Sequence, residues 1–262
     1  MNYKISIIIP TLNEEVYIGK LLEHLLSIGS EKHIAEIIVV DGGSQDKTSC
    51  IVKAFSNVNT LKNLEAFHYI QSHGETDQKQ TELTTKIPVI FVKSQKGRAI
   101  QMNLGAKIAQ GSVLYFLHAD SFPPQDFDTL ILHEIEQGHL AGCFRMQFNS
   151  NHWWLRLAGW FTQFNWRACR GGDQSQFITS SLFQNIGGFD ERFKIYEDNI
   201  LINALYQRKM FVVINKPLKT SSRMYEKHGV WKLQYFYWTI YVKRWLGASA
   251  EDLFQYYKNN MT

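Results

Sequence analysis

Five charged positions in this 262-residue chain have the type and setting to handle an anionic ligand: Asp41, Arg98, Asp120, Glu197 and Asp198. Asp41 follows the aliphatic run Ile37–Val40, and Asp120 follows Val113–Leu117 by way of His118-Ala119. A carboxylate just past a buried strand of a parallel sheet projects into the ligand crevice rather than into the core. At Asp120 such hard oxygens suit Mg2+ or Mn2+ shared with substrate phosphates; at Asp41 they can accept hydrogen bonds from a nucleobase or ribose, while Gly42 and Gly43 let ligand and backbone approach closely. Both aspartates also have a plainer reading as turn residues, Asp41 before Gly42-Gly43-Ser44 and Asp120 before Ser121 and Pro123-Pro124. Gly97-Arg98 opens a helix, and a guanidinium near a helix N-terminus has the charge to meet a nucleotide phosphate. Glu197-Asp198 begins another helix. One of these carboxylates could be a general base, although acidic residues in a first helical turn also serve the macrodipole alone.

The spacing of apolar residues predicts the scaffold that would hold these groups. Short aliphatic runs at Ile5–Ile9, Ile37–Val40, Val89–Val92 and Val113–Leu117 read as buried strands. Between them lie a helix with apolar face Ile18, Leu21, Leu22, Leu25 and Leu26, one from Asp46 to Phe55, and one from Gly97-Arg98 to Ala109. Thr11 and Glu14 have capping-box spacing ahead of the first helix. Alternating strands and helices predict an α/β fold with a mostly parallel central sheet flanked by helices. Residues 57–86, polar from Gln71 onward, read as an insertion.

The second half is less regular. Leu140–Phe148, Gln176–Ile178 and Phe211–Ile214 read as strands; Trp153–Trp166, Ser180–Ile186, Glu197–Lys209 and the tail Trp231–Tyr257 read as helices. The economical division is one domain over 1–230, with 231–262 as a helical C-terminal extension.

Composition narrows the function classes. Net charge is +4 and no dense basic run occurs, which argues against nucleic acid as a partner. Cys50, Cys143 and Cys169 form no CxxC pair, so neither a zinc site nor a disulfide framework is expected. No signal-peptide pattern or run of about 20 apolar residues is seen, and the expected location is cytoplasmic.

The pieces become specific in combination. Ile7-Ile8-Ile9-Pro10-Thr11-Leu12-Asn13-Glu14, Val40-Asp41-Gly42-Gly43-Ser44-Gln45-Asp46, Gly97-Arg98 with Asn103 and Gly105, Asp120, Gly187-Gly188-Phe189 and Glu197-Asp198 occur in that order. Together they resemble glycosyltransferase family 2, whose members have a GT-A fold and invert the anomeric centre. A closer resemblance is to the bacterial arsenosugar-biosynthesis-type or selenodomain-associated subgroup. It rests on Gly97-Arg98-Ala99 with Gln101-Met102-Asn103, Phe116-Leu117-His118-Ala119-Asp120, Gly172-Asp173-Gln174 and Thr220-Ser221-Ser222-Arg223.

The resemblance implies a hexosyltransferase-type enzyme using a UDP- or GDP-sugar, Mn2+ or Mg2+, and an acceptor that the motifs leave open. By that resemblance Pro10, Thr11, Asn13, Glu14, Asp41, Gly97 and Arg98 line the nucleotide pocket, and Arg223 meets the diphosphate. Asp120 takes the metal-binding place of an Asp-x-Asp motif whose first aspartate is replaced by His118. Asp198 would be the base beside Glu197, His228 a further metal ligand, and Asp173 and Gln174 the acceptor side. Alternatives from other classes are a nucleotidyltransferase-like enzyme and a catalytically idle nucleotide-sugar-binding or scaffold protein.

All seven tryptophans fall in two segments: 153, 154, 160 and 166, then 231, 238 and 245. The last three, with Tyr235 and Val242, make one apolar stripe at helical spacing, near Lys232, Lys243 and Arg244. A helix packed on the domain is one reading. The other is peripheral contact with the inner face of a membrane, meeting a lipid-linked acceptor.

Overall fold

The computed structural model describes residues 3–56, 87–171 and 174–261. The expected insertion 57–86 and the acceptor-side candidate Asp173 lie outside them. Eight strands form one sheet: β1 (Ile5–Thr11), β2 (Ile34–Asp41), β3 (Val89–Lys93), β4 (Val113–Phe116), β5 (Ser121–Phe122), β6 (Ala141–Phe148), β7 (Gln176–Thr179) and β8 (Phe211–Thr220). Their order is β3-β2-β1-β4-β7-β6-β8-β5. The first four run parallel, which brings their carboxyl ends to one edge. Strand β7 is antiparallel to β4 and β6, β8 is parallel to β6, and β5 returns antiparallel to β8. The carboxyl ends of β6 and β8 therefore join the same edge.

Ten α-helices and a 3-10 turn at Arg167–Cys169 complete the described chain: α1 (Ile18–Ile28), α2 (Thr48–Ser56), α3 (Arg98–Ile108), α4 (Phe127–Glu136), α5 (Trp153–Phe161), α6 (Ser180–Ile186), α7 (Glu197–Gln207), α8 (Arg223–His228), α9 (Val230–Trp245) and α10 (Ala250–Met261). Successive strand residues point to opposite faces, so the sheet divides its apolar side chains between two layers. Ile7, Ile9, Val39, Tyr115 and Leu117 pack with α1, α2 and α4. Ile8, Ile38, Val40, Leu114 and Phe116 pack with α3, α6 and α7. Burial on both faces explains why these strands read as continuous aliphatic runs instead of alternating ones.

Several local expectations shift. Helix α1 starts at Ile18, and Thr11 and Glu14 do not cap it: Tyr17 precedes the helix without a side-chain cap. Helix α5 ends at Phe161 because Thr162 turns its hydroxyl back to the Gly159 carbonyl, at 2.6 Å. Strand β8 continues through Pro217 to Thr220, with a register shift opposite Phe144/Arg145. Strand β5, two residues long, carries no sequence signal of its own. The tail is two helices, broken after Leu246 at Gly247, whose φ of 95° suits glycine.

Helix α3 lies so close to the sheet that a Cβ on Gly105 would come within 2.5 Å of Ile8 Cγ2. Gly105→Val is expected to lower unfolding free energy by about 1–3 kcal/mol through overpacking. Gly171→Ala, which meets nothing within 4 Å, should change it by less than about 0.5 kcal/mol. Urea unfolding of the two variants measures the contrast.

Candidate active site

The loops after β1 and β2 are laced together by their own polar side chains. Asn13 takes a left-handed φ of 55°, which asparagine tolerates. Its backbone N–H donates to Ser44 Oγ at 2.9 Å, and its Oδ1 accepts from Gln45 N at 2.9 Å. Asp41, only 2% exposed, accepts from the backbone N–H of Gly43 and Ser44 at 3.2 and 3.0 Å and from the Ser44 and Thr11 hydroxyls. Pro10 and Thr11 end β1 beside it, paired with Val40 and Asp41. From the opposite layer, the buried Gln101 amide donates to the carbonyls of Thr11 and Val40 at 2.8 and 2.7 Å. Gln101 thus pins the ends of β1 and β2 to the first turn of α3. The sequence reading quoted it without a role.

A second cluster sits past β4. The Arg223 guanidinium meets both oxygens of Glu14, at 2.8 and 2.6 Å, and its Nε lies 3.2 Å from Asp120 Oδ2. It also stacks over the Tyr17 ring at 5.1 Å, and Tyr17 Oη lies 3.3 Å from Ser221 Oγ. The hydrogen bonds to Glu14, with the charge of Asp120 beside them, hold the proton of Arg223 more tightly than usual. The short β5–β8 pairing creates this proximity, because Ser121 opposite Thr220 puts the Asp120 carbonyl 3.3 Å from Ser221 N. Glu14, whose spacing suggested a helix cap, is instead committed to this cluster. His118 is half-buried at the start of the same turn, its carbonyl accepting from Ser121 N at 3.1 Å.

The third cluster joins α3 to α7. Gly97, with φ 152°, precedes Arg98, whose Nε donates to Glu197 Oε1 and whose Nη2 lies 2.9 Å from Asp198 Oδ2. Both acids are buried, Glu197 completely, and Glu197 Oε2 has no hydrogen-bond partner. Burial pushes the Glu197 carboxyl above the usual glutamate value; Arg98 opposes this and the charge of Asp198 adds to it. Just before them Tyr196 sits at φ 73°, an uncommon conformation for a bulky residue and the kind of backbone strain that gathers at functional sites. Asn103 fixes the approach to this helix: its amide exchanges hydrogen bonds with the backbone of Phe189, at 3.0 and 2.9 Å.

Two candidates have other surroundings. Gln174 is 3% exposed: its oxygen accepts from Arg170 at 2.6 Å and its nitrogen donates to the Cys169 carbonyl at 2.6 Å. Its amide holds a loop around the buried Arg170 and is spent there. His228 ends the helix that Arg223 begins, with its Nε2 buried and without a hydrogen-bond partner. A residue passed over in the sequence, Gln176, opens β7 opposite Phe116, and its buried Nε2 also has no partner. Its polarity next to the apolar pair Phe177-Ile178 was the available signal.

A glutamic acid whose proton is held more tightly in the folded chain stabilises the fold most fully below its ordinary value of 4.5. That contribution is lost as pH rises through the raised folded value. Glu197→Gln is therefore expected to flatten the decline in urea midpoint between pH 4.5 and 8 relative to the unsubstituted chain.

The family profile described as Glycosyl transferase family 2 matches residues 6–213. A dolichyl N-acetyl-α-D-glucosaminyl phosphate 3-β-D-2,3-diacetamido-2,3-dideoxy-β-D-glucuronosyltransferase of Methanococcus voltae is 31% identical over 127 residues, 48% of this chain and 32% of its own. The chain thus spans about a third of that relative's length. The S. aureus TarS 1–349 structure in complex with UDP-GlcNAc superposes with a TM-score of 0.61 at 20% identity, covering 84% of this chain and 58% of TarS 1–349. The mannosyltransferase PcManGT of Pyrobaculum calidifontis, in complex with GDP-Man and Mn2+, gives 0.62 at 14% identity, covering 98% and 70%. At such identities the superpositions establish the GT-A type of fold, a mixed sheet flanked by helices.

Proposed function

The chain belongs to glycosyltransferase family 2, and from that premise we propose that it transfers a sugar from a UDP- or GDP-sugar to a lipid-linked acceptor, inverting the anomeric centre. The observation that carries this reading is the meeting of Glu14, Asp120 and Arg223 at the carboxyl end of the parallel strands. One guanidinium between two carboxylates marks a place where charge must be balanced, and a pyrophosphate with its cation would be balanced by the same groups. The ligands of the two superposed structures, UDP-GlcNAc and GDP-Man with Mn2+, support the donor class. The dolichyl-linked sugar phosphate in the archaeal relative's name supports the acceptor class. Within the family, the quoted subgroup motifs keep the arsenosugar-biosynthesis-type likeness as our reading.

The donor set fits a phosphate-shared Mg2+ or Mn2+. Among the described residues no group of three or more His, Cys, Asp or Glu forms a metal cage. A cation completed by substrate phosphates needs only one or two protein oxygens. Asp120 would supply one. The unpartnered His228 Nε2, about 7.5 Å along the axis of α8 from Arg223, is the second candidate. When bound, the cation neutralises charge on the departing diphosphate.

Thr11, Asn13 and Asp41 would receive the nucleotide, with Gln101 fixing the strand ends that carry them. Arg98 orients Asp198, and we assign Asp198 as base. It takes the proton of the acceptor hydroxyl as that oxygen bonds to the anomeric carbon, and the bond from that carbon to the diphosphate oxygen breaks. Glu197, buried behind it, is a positioning residue. Residues 1–230 form the catalytic domain in this reading, 231–262 its helical extension, and the location is cytoplasmic.

Thermal-shift measurements with UDP-GlcNAc and GDP-Man, with and without Mn2+, test the donor reading. A donor at 100 times its Kd should add about 2.7 kcal/mol, a rise of several degrees in Tm. Asp120→Ala should remove the metal-dependent part of the rise. Asp198→Asn should keep the rise while lowering kcat by roughly 100- to 10,000-fold. Absence of any rise across nucleotide sugars and metals sinks the reading.

A further inference from the structure

A helix packed on a soluble domain ordinarily presents a polar outer face. Helix α9 does not. Its inner residues Leu233, Phe236 and Ile240 pack with Phe193, Leu253 and Met261. Its outer stripe is Trp231, Tyr235, Trp238, Val242 and Trp245, all exposed, Tyr235 by 67% and Trp245 by 84%. Helix α5 carries a second stripe of Trp153, Leu157 and Trp160, also exposed. Trp154 bridges the two: its ring lies 5.4 Å from Trp231 and 6.1 Å from Trp238, and its Nε1 donates to Gln234 Oε1 at 3.0 Å. The six exposed rings, Trp153, Trp160, Trp231, Tyr235, Trp238 and Trp245, present on the order of 700 Å2 of aromatic surface at about 150–250 Å2 per ring.

Charge chooses the occupant. Neither helix, nor the stretch 149–171 around α5, contains a single Asp or Glu. Arg156, Lys232 and Lys243 are exposed at the margins of the stripes. Aromatic rings with cations at their margin, on helices that carry no acid, match the interface of an anionic bilayer, where rings sit at headgroup depth and cations meet phosphate; of the three cations, Lys243 is shared with Asp252 of α10, whose carboxylate feels its charge. No helix among the described residues is long and apolar enough to cross a membrane, so the contact lies in the plane of the interface.

We propose that the outer faces of α5 and α9 seat this protein on an anionic lipid surface. The surface starts where the candidate site ends. Helix α8, which begins at Arg223, leads into α9, and Asn149, four residues before α5, binds the β8 end through Asn149 N to Thr220 O at 2.9 Å and Ser222 Oγ to Asn149 O at 3.0 Å. Seating there brings the Asp120–Arg223 edge towards the headgroups. This extends, and rests on, the reading of a lipid-linked acceptor.

Co-sedimentation of the full chain with vesicles tests it. Binding to vesicles of 70% neutral and 30% anionic phospholipid should exceed binding to wholly neutral ones by at least about tenfold at low salt. Lipids brominated in their acyl chains should quench the tryptophan emission. The triple variant Trp231→Ser, Tyr235→Ser, Trp245→Ser should lose about tenfold or more of the binding while keeping its nucleotide-sugar thermal shift. Arg156→Glu with Lys232→Glu should lose the preference for anionic lipid. A folded chain that ignores anionic vesicles at low salt overturns the proposal. So does a light-scattering dimer abolished by the triple variant, which would give the surface to a second copy. Vesicle binding does not require donor binding, so failure of the donor reading appears separately as a missing thermal shift.

Discussion

Strand β1 has one polar side chain before its end, Ser6, and its hydroxyl is taken up within the sheet by Glu36 and the Gly111 N–H. The strand is hydrogen-bonded on one side to β2 and on the other to β4, and Ile5, Ile7, Ile8 and Ile9 are fully buried. Ionised groups cannot be accommodated along such a strand without a large desolvation cost. They collect where the strands stop, and the parallel pairing makes β1, β2, β3 and β4 stop at one edge. The site is a consequence of that constraint. Thr11 and Asp41 end their strands where backbone and side-chain partners of the next loop become available, and Asp120 follows the half-buried His118 in the turn past β4.

At this edge the protein handles negative charge with two arginines of different kinds. Arg223 is shared between carboxylates from the first loop and from the turn after β4, in a partly open setting with Tyr17 beneath it. Arg98 faces a buried acid pair whose mutual repulsion and desolvation it offsets only in part, as the raised Glu197 carboxyl shows. The first arrangement suits groups that exchange partners with an anionic ligand. The second suits groups that must keep their geometry, with Gln101 on the same helix fixing the strand ends. Under the proposed reaction the two arrangements share a purpose, because glycosyl transfer needs a gripped diphosphate and an oriented base within one edge.

The C-terminal helices add something the sheet does not require. Their inner faces make a small core with Phe193, enough to attach them. The outer face of α9 turns its tryptophans to solvent, an arrangement without evident benefit to a freely soluble chain. The rings and the site edge are joined through Asn149, Thr220 and Ser222, so the orientation of one fixes the orientation of the other.

The sequence by itself determined the strands of the parallel half, the helices between them, and the carboxylates at their ends, since periodicity and burial are local consequences of residue type. It also exposed the seven-residue tryptophan spacing and the family motifs. It misread Glu14 as a cap, ran α5 on to Trp166 and the tail through Gly247, gave Gln101 no role, and passed over β5 and Gln176. The end of α5 and the break at Gly247 are local turns that helical periodicity overran; the others depend on a partner distant in the chain. Arg223 reaches Glu14 across 209 residues and Arg98 reaches Glu197 across 99; nothing in the local pattern encodes such a distance. Only the sheet order, with β5 folding back on β8, brought Asp120 to Arg223. Which face of α9 looks outward was likewise settled in three dimensions, because both of its faces are apolar and only packing against Phe193 distinguishes them.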